Sequence, residues 1–279
     1  MPPSYRNAIY IPVILFYIPA LFGSGFLTWH HGWRSSEIWF VMVTFSLTRL
    51  VGASLQLSTI VNPDSYGLAR GAAVCAVDGL SPLLFVALGI VGRLQDIVNK
   101  TEKTRFTFRD YRLLYLLLTV AMILISVGYA GVTKDEIRNG IRDHSSVSVA
   151  AAIMYIISYA GILYGTVSMV LYHLPEVEQG ERRLLLMLAI SQPLLFIRTL
   201  YMCLDVLGNR VKFSPFSGSV TAFLCMALIE EAIVVAMYQA AGFSLRVRSK
   251  EEIEQAKKNR HDNGGHRRIE SDVELNGQR

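Results

Sequence analysis

The chain has 279 residues, of which 52% are hydrophobic and 18% charged, with a net charge of +5 and a mean hydropathy of +0.37. Soluble domains carry roughly 25% charged residues, so this composition excludes a soluble enzyme, a secreted disulfide scaffold and a single-anchor protein. What remains is an integral, multi-pass membrane protein. In such a chain Lys and Arg collect in cytoplasmic loops, so the basicity is a topology signal and no nucleic-acid partner is expected.

Windows of about 20 apolar residues, the length that crosses a bilayer core, predict seven spans at residues 8–29, 37–59, 71–92, 113–132, 148–174, 184–207 and 219–242. Each run is too long and too continuously apolar for the strands of a membrane barrel, so all seven are expected to be helices. The first is preceded by a single Arg within Met1–Asn7 and is longer than a signal-peptide core, so it is expected to be retained. The second carries Arg49, and the third carries Asp78 with Gly79, Ser81 and Pro82 close behind. The fifth holds Gly161 and Gly165, a small-residue pair suited to helix packing. On the sixth, Ser191, Arg198, Tyr201 and Asp205 share one face, and Pro193 is expected to kink the helix and free a carbonyl toward a cavity. The seventh carries Glu230 and Glu231. The three cysteines, Cys75, Cys203 and Cys225, all lie in spans and are expected to behave as small hydrophobes.

Seven Lys and Arg residues fall on the N-terminal side of the membrane and eighteen on the other. Without the tail the count is still nine against seven, with six in the third loop: Arg93, Lys100, Lys103, Arg105, Arg109 and Arg112. The expected topology is therefore N-terminus out and C-terminus in. It places the sequon Asn99-Lys100-Thr101 in the cytosol, where it stays without sugar. The chain divides into a seven-helix domain, 1–242, and a tail, 243–279, in which Lys250–Arg260 has the Glu and Lys spacing of a solvated helix and the remainder is expected to be disordered.

Offsetting the chain by 149 residues lays Arg49 on Arg198, and in each case the next span carries an acid. This pattern suggests a three-plus-one-plus-three plan with the fourth span as linker. It sets Arg49 beside Asp78 and Arg198 beside Glu230 or Glu231, and the pairs Arg49 with Asp78 and Arg198 with Glu230 are the expected pins between helices. Charged groups at bilayer depth face the interior of the bundle, and a rise of 1.5 Å per residue puts Arg49 about 15 Å, Asp78 about 10 Å, Arg198 about 13 Å, Asp205 about 3 Å and Glu230 about 16 Å below the outer surface. Two arginines meet four carboxylates, so two acids are left over, expected to hold a proton or to meet a cation or an amine. Glu230 and Glu231 are about 100° apart, so both border one cavity only if it is wide or the helix is distorted.

The histidines, at span ends, in a loop and in the tail, do not converge on a zinc site, and the common hydrolase, phosphate-loop and redox motifs are missing. No cofactor, no metal and no enzymatic activity are expected. The run Ile197-Arg198-Thr199-Leu200-Tyr201-Met202-Cys203-Leu204-Asp205 resembles the sixth-helix pattern of the fungal RTA-like family, seven-helix proteins described as lipid-translocating exporters. The whole chain through Gly242 looks still more like a family of fungal seven-helix membrane proteins known as a domain of unknown function. The resemblance implies that Arg198, Tyr201 and Asp205 occupy the motif positions, with Arg and acid as a charged pair at the outer end of a cavity. The sequence departs from the RTA-like pattern at Met202, where a second Arg is usual, in having Asp rather than Glu at 205, and in SVTAFLCMALIEEA, which replaces an acidic aromatic stretch.

The expected function is a translocator or transporter of a lipid or other amphiphile, such as a sphingoid base, through a polar cavity in the outer half. Arg49, Asp78, Arg198, Tyr201, Asp205, Glu230 and Glu231 are its binding or coupling residues, with Glu230 as the protonatable partner of Arg198. The alternatives are a receptor whose third loop and tail meet a cytosolic partner, and a structural membrane protein in which the charges only pin helices together. Membrane lipids are expected partners in every case, and the sequence leaves the organelle open between plasma membrane and endomembrane.

Overall fold

The computed structural model describes residues 5–31, 37–63, 65–98, 108–132, 145–172, 179–208, 213–214 and 218–245. Its helices include seven long and apolar enough to cross a membrane: Tyr5–His31, Ile38–Ser58, Tyr66–Val98, Arg109–Ala130, Ser146–Tyr172, Glu181–Val206 and Val220–Ser244. The protein is all-α and an integral, multi-pass membrane protein. The sequon at Asn99, the lysines of the third loop and the chain beyond 245 lie outside the described residues.

The third span is the central post, 61% buried where the other six are 28–50% buried. It touches the second, fourth, fifth, sixth and seventh spans, and the rest pack around it, first to second, fourth through seventh in order, and seventh back to first. Lipid tails are as apolar as the helices, so close packing rather than hydrophobic burial must hold this bundle together. Small residues provide it: a Cβ on Gly52 would stand 2.7 Å from that of Cys75, and one on Gly161 would stand 2.7 Å from Leu114 Cδ2. Gly161 is thus a packing position turned toward the fourth span, and Gly165, one turn on, is buried.

Four buried serine and threonine hydroxyls are satisfied within their own helices, where Ser24, Ser46, Thr166 and Thr199 each donate to the carbonyl four residues back. Outside the bundle, Leu15, Phe22, Leu113, Leu171 and Ile190 form part of an exposed apolar surface suited to lipid.

Two helices depart from regularity, and both departures shape the interior. The third span is two helices, Tyr66–Val77 and Leu80–Val98. The break falls at Asp78 and Gly79, where Pro82 has no N–H to offer the carbonyl of Asp78. The seventh begins with one turn capped by Ser219 and passes through a π-helical turn, Leu224–Leu228, closed by Ile229 N–H on the Leu224 carbonyl. The sixth helix, Gln179–Val206, runs on through Pro193. Pro193 itself is exposed on the outer face of the helix. A difference from expectation concerns Arg93, which is not a loop residue: it is buried within Leu80–Val98.

Candidate functional site

Arg49 from the second span, Arg198 from the sixth and Glu231 from the seventh meet at the break in the third. All three are buried, and Glu231 is fully so. Arg49 Nη2 donates to Glu231 and forms an ion pair with it. Arg198 donates from Nε to Glu231 Oε1 at 2.8 Å. The break supplies the remaining acceptors. Because the helix stops at Val77, the Ala76 carbonyl accepts from Arg198 Nη2 at 3.1 Å and from Arg49 at 3.3 Å, and the Cys75 carbonyl accepts from Arg49 Nη1 at 3.2 Å. In an unbroken helix these carbonyls would be taken by backbone donors.

Gly79 is required here by space. A Cβ at that position would overlap the end of Arg49 and stand 2.6 Å from Glu231 Oε1. Aromatic rings flank the two guanidinium groups: Phe45 lies 5.4 Å from Arg49, Tyr201 lies 5.7 Å from Arg198, and Tyr17 packs edge-on against Phe45 at 5.7 Å.

The expected pairings are not the ones formed. Arg49 binds Glu231 rather than Asp78, and Arg198 binds Glu231 rather than Glu230. Asp78, at the end of the first half-helix, turns to the fourth span and accepts from Ser126 Oγ at 2.9 Å. Asp205 also faces the fourth span, where the Tyr129 hydroxyl donates to it. Glu230 is buried beside the cluster with Oε2 lacking a hydrogen-bond partner. Both acids face inward on a helix distorted one turn earlier by the π geometry. The two arginines that align at an offset of 149 thus share one acid: the pairing of Arg198 with an acid of the seventh span forms, as the repeat suggests, and that of Arg49 with Asp78 does not.

Among the residues expected to form the site, Arg49, Arg198 and Glu231 touch, Tyr201 and Glu230 adjoin them, and Asp78 and Asp205 stand apart with hydroxyl partners. Sequence analysis missed Tyr17, Phe45, Ser126 and Tyr129. The first was legible in part: Tyr10, Val13, Tyr17, Ala20 and Ser24 recur at helical spacing as the buried stripe of the first span.

Next to Arg198 is a crevice bordered by Ala76, Tyr129, Tyr201, Asp205 and Phe223, with room for about one water molecule. This is much smaller than the expected amphiphile cavity. Among the described residues no three His, Cys, Asp or Glu side chains come together as a metal site.

At the other end of the bundle a second charged pair is buried. Arg93 of the third span donates from Nε at 3.2 Å to both oxygens of Glu181 of the sixth, and from Nη2 at 2.6 Å to Oε1. Close by, Arg183 donates to Ser244 Oγ at 2.9 Å, and His31 Nε2 lies 3.2 Å from the Gly242 carbonyl.

A family model described as a domain of unknown function, DUF7702, matches residues 4–248. No curated protein and no solved structure is similar enough to count as a match.

Proposed function

The chain belongs to the DUF7702 family, and from that premise we propose that it moves an amphiphile across the membrane, with the Arg49–Glu231–Arg198 cluster as the lock of a closed state. The observation that carries this is the convergence of two guanidinium groups and one carboxylate, from three spans, on a break in the central helix. Discontinuous helices near the midplane are a recurrent way to build transport sites, because they release backbone groups without exposing them to lipid. Charges buried in a membrane are costly, and an ion cluster gains little stability over well-packed apolar side chains. An anionic group arriving at the arginines competes with Glu231 and so has a direct means of unlocking the three spans.

Similarity of the Arg198, Tyr201 and Asp205 run to the RTA-like exporters supports a lipid or sphingoid base as cargo. The excess of basic residues on the other side supports an N-terminus-out orientation. The coupling role assigned to Glu230 from sequence passes to Glu231, which holds both arginines.

The test is movement of a headgroup-labelled phospholipid and of a sphingoid base between leaflets in proteoliposomes of the purified chain. Wild type is compared with the combined Arg49→Met, Arg198→Met, Glu231→Leu variant, which removes the charges together. Movement by wild type and none by a folded triple variant is the expected result. No movement by wild type refutes the proposal. Equal movement by both would leave the cluster as a pin between helices, a reading that the tight packing around it favours.

A further inference from the structure

At the end of the bundle where the first and seventh spans finish and the sixth begins, an exposed ridge of rings adjoins two exposed arginines. Phe26, Trp29 and Phe243 are 48%, 74% and 56% exposed. Phe26 stacks on Phe243 with ring centroids 6.1 Å apart and on His30 at 5.6 Å, and it meets Trp29 edge-on at 6.2 Å. The ridge thus bridges the first and seventh spans. Next to Phe243 in the chain, Ser244 Oγ accepts from Arg183 Nη1 at 2.9 Å, which brings the start of the sixth span to the same corner. Arg182 is exposed beside it.

Two features set this corner apart from an ordinary lipid-facing surface. Its positive charge is not balanced, because the neighbouring acid, Glu181, is buried and has both oxygens held by Arg93. Among the described residues, Arg182 and the remaining N–H groups of Arg183 meet no acceptor. At the start of the fourth span, by contrast, an exposed Asp110 stands between Arg109 and Arg112. The second feature is an apolar track. Phe22 and Leu15, both exposed, continue the Phe26 stripe at helical spacing along the first span toward the middle of the bilayer.

We infer that this corner binds an anionic phospholipid, with the phosphate on Arg183 and Arg182 and an acyl chain along Phe243, Phe26 and Phe22. Lipid covers the outside of a membrane-spanning bundle in any case, so the occupant is fixed and the headgroup is the open question. A guanidinium fork takes phosphate oxygens in pairs. A zwitterionic headgroup adds an ammonium to a corner with no uncommitted acid among its described residues, whereas an anionic one adds only attraction. The ring ridge at the span ends sits where aromatic side chains meet headgroups. An N-terminus-out orientation turns this corner to the cytoplasmic leaflet, where anionic lipids collect. The site stands independently of the proposed transport.

The test reads Trp29, which stands in the ridge. The purified full chain is reconstituted in phosphatidylcholine vesicles with increasing fractions of phosphatidylglycerol or phosphatidylcholine brominated near the headgroup end of the acyl chains, where bromine quenches tryptophan on contact. Subtracting the signal of Trp29→Phe isolates Trp29. Brominated phosphatidylglycerol is expected to quench it with an affinity about tenfold above that of brominated phosphatidylcholine at low salt, the advantage shrinking as salt rises. The combined Arg182→Gln, Arg183→Gln variant changes only exposed side chains and is expected to bring the two lipids within about twofold of each other. Arg109→Gln with Arg112→Gln, at the start of the fourth span, is expected to leave the preference unchanged. Equal quenching of wild type by the two lipids, or a preference that survives the loss of Arg182 and Arg183, would overturn the site. So would an equal weakening by the fourth-span pair, because the preference would then belong to the charge of the whole surface.

Discussion

The adjacent acids of the seventh span differ so much in their contacts that swapping each for its amide should give opposite results. Glu231 is fully buried and accepts from both arginines. Glu231→Gln leaves two guanidinium groups in the bundle with backbone carbonyls as their acceptors and no counter-charge in contact. Removing one partner of a buried ion pair costs about 3–5 kcal/mol, which lowers the folded-to-unfolded ratio by roughly two to four orders of magnitude at about 1.4 kcal/mol per tenfold. Glu230 has no ion pair, and its Oε2 lacks a donor. Glu230→Gln removes an uncompensated carboxylate and is expected to stay within about 1 kcal/mol of wild type, in the stabilising direction if it moves at all. The assay is the fraction of purified protein that remains monodisperse after heating in detergent, with unfolding followed by intrinsic fluorescence. The combined Arg49→Met, Arg198→Met, Glu231→Leu variant provides the internal check. If the cost of Glu231→Gln is unpaired charge rather than lost shape, removing all three charges should recover most of it. Equal loss in the two single amide variants, or no recovery in the triple variant, would refute the reasoning.

Gly79→Ala should disturb the same cluster from the backbone side, since its Cβ takes the place of Arg49's end; the expected loss is about 3 kcal/mol or more in the same heating assay, and a neutral result would mean the arginine is placed differently. Gly242→Ala should cost about 1–3 kcal/mol, because its Cβ would stand 2.8 Å and 2.9 Å from Trp39 Cζ3 and Cζ2, in a ring that is itself buried, whereas Gly25→Ala, with nothing within 4 Å, should be silent. At the far end of the bundle, Arg93→Gln and Glu181→Gln should each destabilise by about 3 kcal/mol, and the double variant by less than their sum; strict additivity in a double-mutant cycle would show that the two do not interact.

Most of the architecture was legible in the linear pattern, because the bilayer imposes a length and a composition on every crossing segment. Seven apolar runs read as seven helices, and the boundaries shifted chiefly where polar ends extend the helices past the apolar core, as at Tyr66 and Val98 of the third span. The break in that span was marked by Asp78, Gly79 and Pro82. The interior location of Arg49, Arg198 and Glu231 followed from the cost of placing charge against lipid.

The partners were not legible, since a 3.6-residue period says which side of a helix faces inward and leaves open which of several inward groups it meets. Arg49 was expected on Asp78, one span away, and lies on Glu231, five spans away in sequence and adjacent in space. The choice between Glu230 and Glu231 depends on the phase of the seventh helix, which a π turn set by tertiary packing shifts by about one residue. The carbonyls of Cys75 and Ala76 become ligands only once the helix is broken and two other spans deliver arginines to it. Arg93 counted as a loop charge until packing brought Glu181 against it. Sequence by itself therefore determined that this is a seven-helix membrane protein with charge in its interior. Tertiary structure alone decided that two arginines share one acid, because ion pairing between helices depends on distances that hydropathy does not encode.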